Sequence, residues 1–173
     1  MKEWKRRILE RFESDAPPEE REVTPPQMPF PEPYSQRAEE FRATIDNHMF
    51  PPGTENLEEK QRTYTISGLI VRDAPNAIVV YMEKAFINSP LPLIGIGSVI
   101  QAVCLAALSY GLGTGVMGRP VESPQMLREM LGIPQTKSIP CVIAIGYPDY
   151  EAPINNIERK RLHLESFVSW HGF

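Results

Sequence analysis

Residues 93–120 read LIGIGSVIQAVCLAALSYGLGTGVMGRP, and the way this stretch divides into elements decides the fold. Its first part, 93–110, is the most apolar segment of the chain, with Gly95, Gly97, Ser98, Ala102, Ala106 and Ala107 spread through it. A helix that is apolar on all sides is buried on all sides, so the expectation is a central helix over Leu93–Tyr110. Gly111 stands where a left-handed residue ends a helix at little steric cost. Gln101 is the one large polar side chain in the run, read as a satisfied buried amide or an interface contact.

The glycines that follow pose a separate question. Residues 113–118, GTGVMG, match the dinucleotide fingerprint G-x-G-x-x-G in form. That fingerprint needs a strand before its first glycine, a helix opening at its third, and an acidic residue about 20 positions on. Here a helix precedes it, Arg119-Pro120 follows it, and Gln135-Thr136-Lys137-Ser138 occupies the acidic neighbourhood. The Rossmann reading is set aside on those grounds. A glycine-rich connector without a ligand remains open.

Working outward, 173 residues with 42% hydrophobic and 23% charged side chains suit one domain, 1–173, with a real core. A net charge of −4 argues against nucleic acid or an anionic membrane as the main partner. The start, MKEWKRRILERFESD, has no apolar signal region, and no run is read as long enough for the roughly 18 apolar residues of a membrane span. A cytoplasmic protein with no membrane partner is expected. Cys104 and Cys141 lie in apolar runs and read as buried free thiols, in preference to a disulfide or a metal pair. The three histidines are scattered, so no metal site is expected; His163 and His171 read as surface or packing residues.

Trp4, Ile8, Leu9 and Phe12 form the narrow apolar stripe of a first helix. Seven prolines within 14–33 then predict an extended arm, read either as a loose linker or as an arm packed through Met28, Phe30 and Tyr34. A helix follows over 34–50, with Ser35 as N-cap, and another from Asn56 to Val71. NAIVVY, residues 76–81, predicts a central strand. Ser123-Pro124 opens a helix closed by Gly132, 138–146 predicts a second buried strand, and a last helix is expected over Leu164–Trp170. Helices outnumber strands without a regular βαβ alternation, which predicts α+β.

Residues 96–149 carry a resemblance. A small-residue helix ending in LAA, then GLGT, a short segment, a helix, LGIP, an apolar strand and GYP resemble the C-terminal half of the FMN-dependent nitroreductase family. The tail APINNIERKRLHLESFV resembles the family's end, and PEPYSQRAEEFR with DAPNAIVVYMEKAF resembles its nitroaromatic-reducing branch. The R-R-S-x-R and P-S-x-x-N-x-Q-P-W segments with which the family begins have no counterpart here. The resemblance therefore implies an N-terminally truncated nitroreductase-like fold, with a mixed or antiparallel central sheet packed by helices.

It also implies a function. NAD(P)H passes a hydride to FMN, which passes it by ping-pong chemistry to a nitroaromatic, a quinone or a related acceptor, with no catalytic side chain required. The backbone of Val116, Met117, Gly118 and Arg119 takes the positions beside the flavin ring, with Gly118 and Arg119 near N5. Arg119 stands where the family often has a small residue, its side chain either facing solvent or entering the pocket. Arg159 and Arg161 match the phosphate-binding pair, and alternation along an extended strand sends Lys160 the other way; a solvated basic patch is the competing reading. A homodimer, or pairing with a related chain, is implied as well. The alternative is a flavin-poor or flavin-free member that serves as a binding or partner subunit.

Overall fold

The computed structural model describes residues 1–14, 17, 19 and 30–172. Most of the stretch read as an extended arm lies outside the described residues. The chain divides into two compact units, Met1–Phe30 with Glu55–Pro148, and Pro31–Thr54 with Asp149–Phe173.

The first unit is built on a three-stranded antiparallel sheet of β1 (Asn76–Glu83), β2 (Gly113–Met117) and β3 (Lys137–Gly146), in the order β1-β3-β2. β3 is central because it carries the β-branched and small residues that suit burial on both faces. Ile139, Val142, Ile143 and Ala144 are all buried. β1, expected to be central, is an edge strand, and Ile78 and Tyr81 are exposed. Its register with β3 slips between Val80 and Met82, opposite the segment that holds Pro140. A proline has no N–H for the ladder, so inside a sheet it is confined to edges and bulges.

Three helices complete this core. α1 (Lys2–Glu13) buries Trp4 and Ile8, the inner pair of its expected stripe. α3 (Leu57–Leu69) stops short of the expected Val71, because Val71, Arg72 and Asp73 turn left-handed, with φ of 51°, 54° and 57°. Consecutive non-glycine residues in that region are costly and persist only when their surroundings hold them. Here Val71 is fully buried, Arg72 stacks 4.0 Å from the Tyr64 ring centre and donates to Ser67 Oγ at 3.0 Å, and Asp73 pairs with Lys5 at 2.7 Å. α5 (Pro124–Leu131) ends, as expected, at a left-handed Gly132 with φ 67°.

The segment expected as a buried central helix forms as α4 (Pro90–Ser109), but it is not buried all round. Ile96, Ile100, Val103, Cys104 and Ala107 make a half-buried to buried inner stripe, while Leu91 is 79% and Leu108 64% exposed. Composition reports apolarity; it does not report whether this chain or another one covers it. α4 is also long and apolar enough to cross a membrane by length and composition, which corrects the reading that no such run exists.

The glycine stretch is a strand, not a loop. β2 pairs with β3 from Gly113↔Gly146 to Met117↔Val142. A side chain at Gly113 would place its Cβ 3.1 Å from Pro148, and one at Gly146 would lie 2.7 Å from Pro75. The two partnered glycines are thus clasped between two prolines. This packing offsets glycine's weak strand preference.

In the second unit, α2 (Tyr34–Met49) has Pro33, not Ser35, at its N-cap and buries no residue fully. Asn155 Nδ2 donates to the Asp149 carbonyl at 2.6 Å and Asn156 Nδ2 to the Tyr150 carbonyl at 2.9 Å, which shapes the turn after GYP. The helix expected over Leu164–Trp170 is a single 3₁₀ turn, Leu164–Ser166. So short a segment, with β-branched and aromatic residues in its second half, does not offset the cost of helix nucleation.

Cys141 is buried and Cys104 half-buried, both as free thiols. Burial pushes the Cys141 thiol up from its ordinary value, and the neighbouring Cys104 adds to the shift. A raised value means less thiolate at a given pH. Cys141 is therefore expected to react with Ellman's reagent more slowly in the native protein than in denaturant at pH 8, and to gain on the denatured rate as pH rises. Equal native and denatured rates at pH 8 would contradict this.

Candidate functional site

The residues matched to the flavin edge, Val116–Arg119, run along the end of β2 and out of it. Among the described residues β2 pairs on one side only, so its far edge presents backbone N–H and C=O groups that none of the described strands takes. Val116 is exposed, and Met117 packs against the core. Gly118 turns helical at φ −90° and ψ −28°, and among the described residues no atom lies within 4 Å of the position its Cβ would take. The Gly118 carbonyl accepts the Val121 N–H at 3.2 Å, and buried Pro120 fixes the 3₁₀ turn Arg119–Glu122. The three glycines of the fingerprint thus differ among the described residues: a Cβ at Gly113 would press on Pro148, one at Gly115 would just reach Ala144 at 4.0 Å, and one at Gly118 would meet open space.

Arg119 is exposed, yet its stem is placed. A Cβ on the buried Gly68 of α3 would stand 3.4 Å from Arg119 Cδ and 3.6 Å from Nη1. The side chain thus crosses α3 at its one glycine with its head reaching solvent. Sequence reasoning passed over Gly68, although a glycine inside a helical pattern signals a close approach.

Arg159, Lys160 and Arg161 lie in the second unit in irregular chain, not in an extended strand. All three are exposed, and among the described residues none forms an ion pair. Arg161 Nη1 donates to the Lys160 carbonyl at 3.3 Å. His163 and His171 are exposed. Among the described residues no group of three or more His, Cys, Asp and Glu is placed to hold a metal ion.

Among the described residues, two of the cavities lie elsewhere in the first unit. One of about 440 Å³ is lined by Arg7, Arg11, Glu19 and Glu129 among others, and its cations are matched by acids: Arg7–Glu129 at 2.9 Å and Arg11–Glu19 at 3.6 Å. The hydrogen bond from Arg7, then that from Gln125, holds the Glu129 carboxyl below its ordinary value. This tie therefore survives mild acid and is lost as pH falls through that lowered value. Glu19 also accepts the Gln125 N–H at 2.6 Å, at the start of α5. The other cavity, about 90 Å³, is apolar and lies beside Trp4, Val79 and Leu127.

This α+β arrangement is the nitroreductase fold. The chain superposes with a TM-score of 0.81 on the FMN and NADPH-dependent nitroreductase NfnB of Sphigopyxis sp. strain HMH, at 18% identity, over 98% of this chain and 74% of that one. It superposes at 0.83 on the FMN-dependent nitroreductase NfnB of Mycobacterium smegmatis in complex with NADPH, at 14% identity, over 99% and 74%. A sequence relative, the 4-nitrobenzoate reductase of Nocardioides sp. (strain LMS-CY), is 28% identical over 144 residues, covering 80% of this chain. The chain spans 55% of that relative's length. The family model described as Nitroreductase family matches residues 32–147, and the chain belongs to the nitroreductase family.

Proposed function

We propose that this chain binds FMN and forms part of an NAD(P)H oxidoreductase that reduces nitroaromatic, quinone or related acceptors by ping-pong hydride transfer. The observation that carries the reading is the one-sided edge of β2 and Gly118 just beyond it, where among the described residues nothing occupies the space a side chain would fill. A flat ring can approach that backbone closely only if position 118 has no side chain. Bound FMN supplies a two-electron relay from the nicotinamide to the acceptor. The chain's own residues then have three tasks. The 116–119 backbone offers its edge groups to the ring, the small residues keep the approach open, and Arg159 with Arg161 takes the phosphate. The relatives support the reading, since they include an FMN- and NADPH-dependent nitroreductase and a 4-nitrobenzoate reductase.

We further propose a cytoplasmic homodimer in which the outer face of α4 meets a second copy. Gly95, Gly97, Ala102 and Ala106 allow close helix approach there, and Ile94, Val99, Leu105 and Leu108 supply exposed apolar surface.

The test is an FMN titration followed by flavin fluorescence. Gly118→Val has room for its side chain in the protein itself, so its melting temperature should match wild type. Its FMN affinity should fall roughly tenfold or more, as overpacking of a filled site does. Arg161→Ala should weaken binding and Lys160→Ala should not; equal losses would mean a diffuse basic patch. If wild type shows no saturable change up to millimolar FMN, the enzyme reading fails for this chain, and the partner-subunit reading takes its place.

A further inference from the structure

We propose that Arg119 anchors an anionic acceptor, so that the site selects aromatic substrates bearing a carboxylate. The inference rests on the reading of 116–119 as the flavin edge and adds the substrate class to it.

Three observations carry it. Arg119 directly follows Gly118, the open position at the end of β2. Among the described residues its guanidinium has no carboxylate partner, unlike Arg6, Arg7 and Arg11, which all face acids. Its stem also lies close against α3. Glycine inside a helix is unfavourable, and α3 carries a buried one at the point where the Arg119 side chain crosses it. The result is a cation with no carboxylate partner among the described residues, its stem lying along α3, one residue from the open backbone, with exposed Val116 two residues before that position on the chain. Guanidinium donors form a planar fork that matches a carboxylate in two-point contact. A neutral substrate gains nothing from such a group. An anionic one gains a charge-assisted contact and fixes its orientation.

A nucleotide phosphate has related chemistry, and the experiment separates the two. Ligand-observed NMR on the full chain, with and without FMN, gives affinities for benzoate and for its neutral analogue benzamide. Wild type is expected to prefer benzoate by roughly tenfold to a hundredfold, the range for one charge-assisted contact. Arg119→Met should bring the ratio near one, and Arg119→Lys should keep part of it. Gly68→Val, whose branched side chain would crowd the stem, should lower it too. Added salt should weaken benzoate and spare benzamide. A benzoate-to-benzamide ratio near one in wild type, or one unmoved by Arg119→Met, overturns the proposal. So does a loss confined to NADPH relative to NADH, which would assign the cation to the nucleotide. Turnover is read separately. A benzoate preference that depends on Arg119, without NADPH oxidation on any nitroarene, sinks the enzyme reading and leaves the anchor standing. Equal use of 4-nitrobenzoate and 4-nitrobenzamide by wild type does the reverse.

Discussion

A variant carrying Leu105→Glu and Leu108→Glu is expected to scatter light as a single chain at micromolar concentration, where the proposed wild-type dimer is expected to scatter as two. Both side chains lie on the outer face of α4, more than half exposed, beside Val99 and Ile94. Each such leucine is worth about 1.5–3 kcal/mol when taken from water into an apolar contact. In a two-fold interface the same patch serves both copies, so every substitution acts twice. A glutamate there adds the cost of burying a charge without a partner. These terms together exceed the margin of an ordinary dimer, so complete dissociation is the expected outcome and not a modest shift. A wild-type protein that is already a monomer would overturn the dimer. If that monomer also floated with lipid vesicles, the length and apolarity of α4 would be serving a bilayer instead.

Arg128→Met is expected to lower unfolding stability by about 2–4 kcal/mol in urea titration, on the scale of two lost hydrogen bonds from a buried charged group. Arg128 is only 3% exposed, on the inner side of α5. Its guanidinium donates to the Pro134 carbonyl at 2.6 Å and also to the Lys137 carbonyl. Together these bonds close the connection from α5 into β3. Methionine fills a similar volume but donates nothing. Arg128→Lys should recover part of the loss, because one ammonium can reach a single carbonyl but cannot span the fork. If both variants unfolded at the wild-type midpoint, the guanidinium would have no structural role.

Much of the fold was legible wherever local chemistry decides it. The Ser123-Pro124 opening and Gly132 closure of α5, and the apolar run of β3, are set by caps and by β-branched residues, and both formed within a residue of expectation. What failed depends on what lies opposite. NAIVVY is apolar enough for a central strand, but Pro140 and the pairing of β2 with β3 leave it at the edge. GTGVM has poor strand propensity and is a strand all the same, because β3 pairs with it and Pro148 fills the space over Gly113. α4 was rightly read as a helix and wrongly read as enclosed. At the candidate site the sequence marked Val116–Arg119 as a unit. It did not mark Gly68, which gains its meaning only when Arg119 crosses it.

The clasp of Gly113 and Gly146 between Pro148 and Pro75 has a consequence for descent. These glycines belong to the GLGT and GYP stretches by which the chain is recognised. Their constraint is steric and lies in the sheet, so selection for folding alone keeps them. The position proposed to face the cofactor, Gly118, meets no such hold among the described residues. A lineage that abandoned redox chemistry would keep its signature glycines and lose Gly118 first. Under the role proposed for Gly118, the state of that one position then follows the loss of function more closely than the signature glycines do.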